Sequence, residues 1–222
     1  PSVFNLGDDI FINAHILDGE NAFLSYRFGD NMAFKTLEMF DDGNYNDGAA
    51  NDGIYGARIV NSCNHIEYYL YADNDSSGVF SPVRAAYEFY TVRSALQVGD
   101  LVINEVMSNN VSVVSDPSTN FEDWIELYNP TNSSVSTKGL FLTDSPDSNL
   151  LKWALPSHII PAGGYAIVWA DEDGGQGDMH ANFQLSNLGE RLVLADVDSL
   201  VIDSVTYLPQ SNNISFGRSP NG

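Results

Sequence analysis

The residues best suited to chemistry lie at positions 41–56, reading Asp-Asp-Gly-Asn-Tyr-Asn-Asp-Gly-Ala-Ala-Asn-Asp-Gly-Ile-Tyr-Gly. Asp-Gly recurs every five residues, at Asp42-Gly43, Asp47-Gly48 and Asp52-Gly53. Each pair is a turn signal, because glycine adopts positive φ freely and aspartate bonds its own backbone. Four carboxylates and three asparagine amides fall within twelve residues, with Tyr45 as the bulky side chain among them. A hard, oxygen-seeking cation, Ca²⁺ first, would relieve the repulsion between those carboxylates. The chemistry expected is structural Ca²⁺ binding by Asp42, Asn44, Asn46, Asp47 and Asp52, with Asp41 an alternative to Asp42. The spacing is not that of an EF-hand: Asp47 stands where that loop needs glycine, and no glutamate closes it. A metal-free loop held by side-chain turns fits the same composition, and both readings stand at this level.

A second acidic, glycine-rich stretch runs from 171 to 180, Asp-Glu-Asp-Gly-Gly-Gln-Gly-Asp-Met-His. It has the composition to hold a cation or a partner, and carboxylates near a histidine evoke general acid–base work. Nothing nearby supplies a nucleophile, so a solvated inter-strand loop is the expected reading. Glu105, Asp123 and Glu126 lie in apolar, strand-like runs, where a carboxylate facing the core needs partners. They are expected to bond loop N–H groups and not to act on a substrate. The four histidines, His15, His65, His158 and His180, show no zinc spacing and are expected at packing or surface positions. There is no Gly-x-Ser-x-Gly turn and no phosphate-cradling glycine loop ending in lysine. The expectation is a chain that is not an enzyme. Tyr45, Tyr55, Trp124, Trp153 and Trp169 raise an alternative, an accessory carbohydrate-binding region of a secreted enzyme. That reading needs them as an exposed planar row, whereas most such aromatics pack inside.

The 222 residues carry 30 acidic and nine basic side chains, a formal charge of −21. That field disfavours nucleic acid, whose recognition needs clustered Lys and Arg, and anionic membranes likewise. The single cysteine, Cys63, excludes an intramolecular disulfide and a multi-cysteine zinc site, and reads as a buried thiol. No apolar run approaches the roughly 20 residues of a membrane-spanning helix. The chain opens at Pro1-Ser2-Val3 without a leader, as expected of a mature or excised piece.

The elements that must position these groups are short strands. Alternating or aromatic-rich runs occur at 9–16, 22–28, 32–39, 54–60, 65–72 and 85–92, and no apolar period of 3.6 residues persists over three turns. A connector at 91–99 marks a boundary. Beyond it, strands are expected at 101–107, 123–128, 139–143, 151–154, 165–170, 191–195, 200–207 and 213–217. The fold class expected is all-β, with two tandem immunoglobulin-like β-sandwich domains at 1–98 and 99–222. Both are acidic: the first has 14 acidic and five basic residues, the second 16 and four.

Several ordered motifs carry a resemblance. Ile103-Asn104-Glu105-Val106 precedes Asp123-Trp124-Ile125-Glu126-Leu127-Tyr128-Asn129-Pro130 and Pro161-Ala162-Gly163-Gly164-Tyr165. Then come Asn182-Phe183, Leu185-Ser186, Gly189-Glu190, Asp203-Ser204-Val205 and Gly217-Arg218-Ser219-Pro220. Together they resemble the bacterial lamin tail domain over roughly 99–222. That resemblance implies an immunoglobulin-like sandwich and a non-catalytic module of secreted or cell-surface proteins. Such modules often accompany extracellular nucleases, phosphatases or kinase-like domains similar to the spore-coat H protein. Family members usually continue past the Gly-Arg-x-Pro segment, so the chain is expected to be a fragment of a larger protein with neighbouring domains. Residues 1–98 resemble immunoglobulin-like or fibronectin-III-like modules of bacterial surface proteins, through the loop at 41–56 and Tyr68–Asp73. The function expected is adhesion or docking to a protein or glycan at a bacterial cell surface, without nucleic-acid binding or membrane insertion, and with Ca²⁺ as a candidate structural ion.

Overall fold

A computed structural model describes residues 4–30, 32–60 and 63–222, so the Pro1-Ser2-Val3 opening lies outside the described residues. The chain divides into two compact units, Pro1–Ala95 and Leu96–Gly222. Apart from one 3₁₀ turn at Gly174–Gln176, the regular elements among the described residues are strands, all paired antiparallel. The chain is all-β.

The first unit contains β1 (Ile10–His15), β2 (Asn21–Phe28), β3 (Lys35–Glu38), β4 (Ile54–Ile59), β5 (His65–Asp73), β6 (Gly78–Ser81) and β7 (Tyr90–Arg93). β1 and β4 form a two-stranded sheet; the others form a five-stranded one, with β2 and β5 paired over eight residues. Alternation decides which face is inward. Ile10 and Ile12 of β1, Ala57 and Ile59 of β4, Ala22, Leu24 and Tyr26 of β2 and Ile66 of β5 share one core. The strand expected at 85–92 begins only at Tyr90. Before it, the N–H groups of Tyr87 and Glu88 both bond Arg84 O, at 2.8 and 2.9 Å, and Arg84 pairs with Glu88 four residues on. This local turn satisfies the backbone that a longer strand would have paired and leaves Tyr87 81 % exposed.

The second unit contains β8 (Val102–Met107), β9 (Trp124–Tyr128), β10 (Val135–Ser136), β11 (Leu140–Thr143), β12 (Trp153–Ala154), β13 (Ile159–Ile160), β14 (Tyr165–Trp169), β15 (Glu190–Asp196), β16 (Val201–Tyr207) and β17 (Phe216–Gly217). One four-stranded sheet has the order β14-β9-β8-β17 and the other β12-β11-β15-β16, with β10-β13 a short ribbon. Leu101, Ile103, Ile125, Leu127, Leu142, Ile160 and Phe183 are fully buried, which is the interior of an immunoglobulin-like sandwich. β10 and β13 have two residues each, too few to show a period-2 pattern, and no longer apolar run surrounds them, so the sequence passes over them.

Candidate functional site

The loop at 41–56 is closed at its neck by reciprocal backbone bonds between Phe40 and Gly56, at 2.9 and 2.8 Å. Gly43, Gly48 and Gly53 all have positive φ, as the Asp-Gly periodicity requires. The five expected ligands differ in kind. Asp42 is exposed, and its Oδ1 accepts Asn44 N at 3.0 Å. Asn44 and Asn46 are exposed, and the Asn46 carbonyl accepts the Asn13 amide. Asp52 is exposed and accepts Ala49 N at 2.9 Å and Ile54 N at 3.0 Å. Those amides, Ala49 first, hold its carboxyl below the usual aspartate range. Asp41 accepts Asp52 N and Gly53 N, at 3.2 and 2.8 Å. Asp47 stands apart: it is 0 % exposed, its Oδ2 accepts Asp42 N and Gly43 N, and its Oδ1 is buried without a partner. Side-chain turns therefore organise this loop, and no three of its carboxylates gather within 4.8 Å, since the two such groups among the described residues lie elsewhere.

One of those groups is Asp30, His65 and Glu67. There Arg27 already supplies a cation, with nitrogens 2.6 and 2.9 Å from Glu67 Oε2, and its guanidinium lies over the rings of Phe34 and Phe89. The other group is Asp116, Asp171 and His180. His180 Nδ1 lies 2.6 Å from Asp171 Oδ2, and both side chains are nearly excluded from solvent, 3 % and 2 % exposed. The ends of the 171–180 stretch are thus buried, while Glu172, Asp173 and Asp178 between them are exposed as a solvated loop requires. Spacing gives no hint of Asp116, which lies far back in the chain and reaches this place only by folding.

Of the signature carboxylates, Asp123 alone accepts a loop backbone N–H as expected, while Glu126 and Glu105 accept side-chain donors. Glu126 Oε1 accepts the Asn104 amide at 2.8 Å, Glu105 accepts the Ser215 hydroxyl, and Asp123 Oδ1 accepts Asn110 N at 3.3 Å. Burial first, then the charges of Glu122 and Glu190, push the Asp123 carboxyl up from 3.8 to about 6. A carboxyl raised by folding favours the folded state while protonated, and that contribution fades as pH rises through about 6. Asp123→Asn should therefore flatten the pH dependence of the second unit between about 4 and 6. Relative to wild type, it should gain about 1 kcal/mol at neutral pH after allowance for solvent screening. Tryptophan-monitored denaturation across that range reads this out, and parallel pH profiles for both proteins would refute it.

The other motif residues serve as joints. Asn129 is completely buried; its amide nitrogen reaches the carbonyls of Ser133, Ile160 and Pro161 at 2.8, 2.9 and 3.0 Å. Its Oδ1 accepts Thr131 N and Oγ1, and its backbone exchanges bonds with Gly163 and Gly164. Glu190 Oε1 accepts Ser186 N and the hydroxyl of the buried Tyr207, at 2.8 and 2.7 Å. Burial, with Glu190 second, pushes that phenol above its ordinary range. Asp203 bonds Ile103 N and Arg218. The supposed sugar-stacking aromatics form no exposed row: Trp124 and Trp169 are buried against Met107, Trp153 is half-buried in β12, Tyr45 stacks on Phe40, and Tyr55 bonds Gly19 O. Cys63 is buried, with Sγ 3.2 Å from Asn64 Oδ1.

A different surface was not legible as a site. Tyr69, Phe80, Val83, Arg84, Ala85, Ala86 and Tyr87 line an open groove of about 410 Å³ in the first unit. It arises from the turn that replaces the expected strand.

The second unit is thus an immunoglobulin-like β-sandwich tied by buried polar joints, a fold compatible with an interaction module. The Lamin Tail Domain model matches residues 94–209. The chain belongs to the lamin tail domain family, an immunoglobulin-like and generally non-catalytic group. Comparisons with curated proteins and with solved structures give no match.

Proposed function

We propose that this chain is a non-catalytic interaction module, secreted or displayed at a bacterial cell surface, that docks a protein partner. The observation that carries the reading is the apolar groove on a chain of charge −21. Val83 and Tyr87 are 85 % and 81 % exposed there, and Phe80 stands beside them at 44 %. An exposed apolar cluster ringed by polar surface marks a contact site, and aromatic residues with arginine are enriched in such sites. The net charge of −21 favours a partner with an apolar centre and a basic rim. A glycan is less well served, because the lining offers few hydrogen-bonding groups and its Arg84 is paired with Glu88 at 2.9 Å. Labelled chain should bind bacterial cells, and Val83→Asp with Tyr87→Ser should weaken that binding at least about tenfold. Protease treatment of the cells should abolish it. Undiminished binding by the double variant, or sensitivity to glycosidases alone, would rule the reading out.

Calcium in the 41–56 loop is the proposed stiffener of the first unit, with Asp42, Asn44, Asn46, Asp47 and Asp52 as its side-chain ligands, drawn in from the turns that now hold Asp42 and Asp52. The buried, unpartnered Oδ1 of Asp47 supports it, because such an oxygen is costly unless a cation or donor meets it. Millimolar Ca²⁺ should raise the melting temperature of the first unit, a chelator should reverse the rise, and Asp47→Asn should abolish it. Identical melting with and without Ca²⁺ would dismiss the ion.

A further inference from the structure

We infer that Asp116, Asp171 and His180 form a binding site for a divalent transition-metal ion, Zn²⁺ by preference, inside the lamin tail domain. Each residue offers one ligand atom, and the three atoms lie within 4.8 Å of one another. Atoms that share one ion at about 2.1 Å stand roughly 3–3.5 Å apart, so small side-chain movements bring this set onto a metal.

An acidic cluster alone would not indicate an ion. The second observation is Asp116 itself. It is 3 % exposed, and its Oδ1 accepts Asn120 N at 2.7 Å, but its Oδ2 is buried without a partner. A buried carboxylate oxygen that no protein donor meets is costly, and a cation would satisfy it. The facing residues do not answer it: His180 Nδ1 is already directed at Asp171 Oδ2, and Asp171 Oδ1 accepts Asp173 N at 3.1 Å. Glu122 adds negative charge to the surroundings, its carboxyl being raised by burial and by the charges of Asp171 and Asp116.

The backbone holds the cluster ready. Trp169 N bonds Met179 O at 2.9 Å and Ala181 N bonds Trp169 O at 2.7 Å, closing the neck of the loop that carries Asp171 and His180. Asp116 is fixed by the turn in which its own N–H bonds Asn120 O at 2.8 Å, and Asn120 reaches Gln176 at 3.2 Å. Two segments distant in sequence are thus already tied beside the cluster. The donor set identifies the metal class. An imidazole with two carboxylates suits zinc and its transition-metal neighbours, whereas Ca²⁺ seeks six to eight oxygens. The metal would take the lone pair of a neutral imidazole nitrogen and staple the two loops together. The role is structural, and no reaction is assigned to it.

The test uses the full chain, stripped with chelator and titrated with Co²⁺ as a spectroscopic stand-in for zinc. One equivalent should produce a visible ligand-field band, which Zn²⁺ should displace. His180→Gln should weaken Co²⁺ binding by more than about a hundredfold, and Asp116→Asn, which keeps the acceptor for Asn120 N, by at least about tenfold. Far-ultraviolet circular dichroism confirms that each stripped variant is folded before titration. Asp47→Asn should leave the band unchanged, which separates this site from the calcium loop. Absence of the band in the wild-type chain, or full affinity in either His180→Gln or Asp116→Asn, would overturn the assignment.

Discussion

Replacing Asn129 by alanine should destabilise the second unit by about 3–5 kcal/mol. One side chain, itself cut off from solvent, reaches the carbonyls of Ser133, Ile160 and Pro161 with its two N–H groups and accepts the N–H and hydroxyl of Thr131. Alanine leaves the buried ones among these groups unmet, and each such group costs about 1–3 kcal/mol. Asn129→Asp should be worse still, since it retains the acceptor, loses the donors and adds an unpaired buried charge. The measurement is clean because all three tryptophans, Trp124, Trp153 and Trp169, lie in the second unit. Denaturant unfolding followed by their fluorescence reports on that unit without interference from the first. A shift below about 1 kcal/mol would mean that the carbonyls find other partners.

The second large effect is expected at Asp203, where alanine should cost about 2–4 kcal/mol. Asp203 belongs to β16, yet its Oδ2 accepts Ile103 N of β8 at 2.7 Å, so the bond joins the two sheets. The same carboxylate holds Arg218 through contacts of 2.9 and 3.0 Å, with the two side chains 11 % and 26 % exposed. Removing it strands a buried N–H and releases the arginine that anchors the segment after β17. Arg218→Ala should cost less, because Ile103 N keeps its acceptor. Equal losses for the two variants, measured by the same fluorescence, would contradict the priority given to the inter-sheet bond.

These two residues show what a sequence discloses and what it withholds. Asn129 and Asp203 stand out as members of ordered motifs, but neither motif names a partner. Asn129 works on carbonyls about 30 residues ahead, and Asp203 on an N–H 100 residues back. Strands that alternate, such as Ile10–His15 with Ile10 and Ile12 inward, are legible because burial imprints a period of two. The two-residue strands β10 and β13 imprint none. The run before Tyr90 reads as strand because its aromatics alternate, and the bonds that Tyr87 N and Glu88 N donate to Arg84 O override that local preference. The 41–56 loop is legible as three turns, because glycine and aspartate act locally. Which of its carboxylates is buried is not, and Asp47 differs from Asp42 and Asp52 only through the strand it lies against. The Asp116 cluster is illegible for the same reason, since its members meet only after the sandwich has formed.

The pairing of β17 with β8 also dictates an order of events during synthesis. The first unit finishes its sheets once β7 has been made, well before most of the second exists. The second cannot do so. The edge of β8 that receives Phe216 and Gly217 stays open until those residues emerge, and 110 residues separate Glu105 from Ser215, its hydroxyl partner. Throughout that interval the nascent chain displays an unpaired strand edge, the kind of surface on which neighbouring chains template one another. Ribosomes crowded on one message would bring such edges together, so the yield of soluble protein should depend on how quickly translation runs from residue 107 to residue 218.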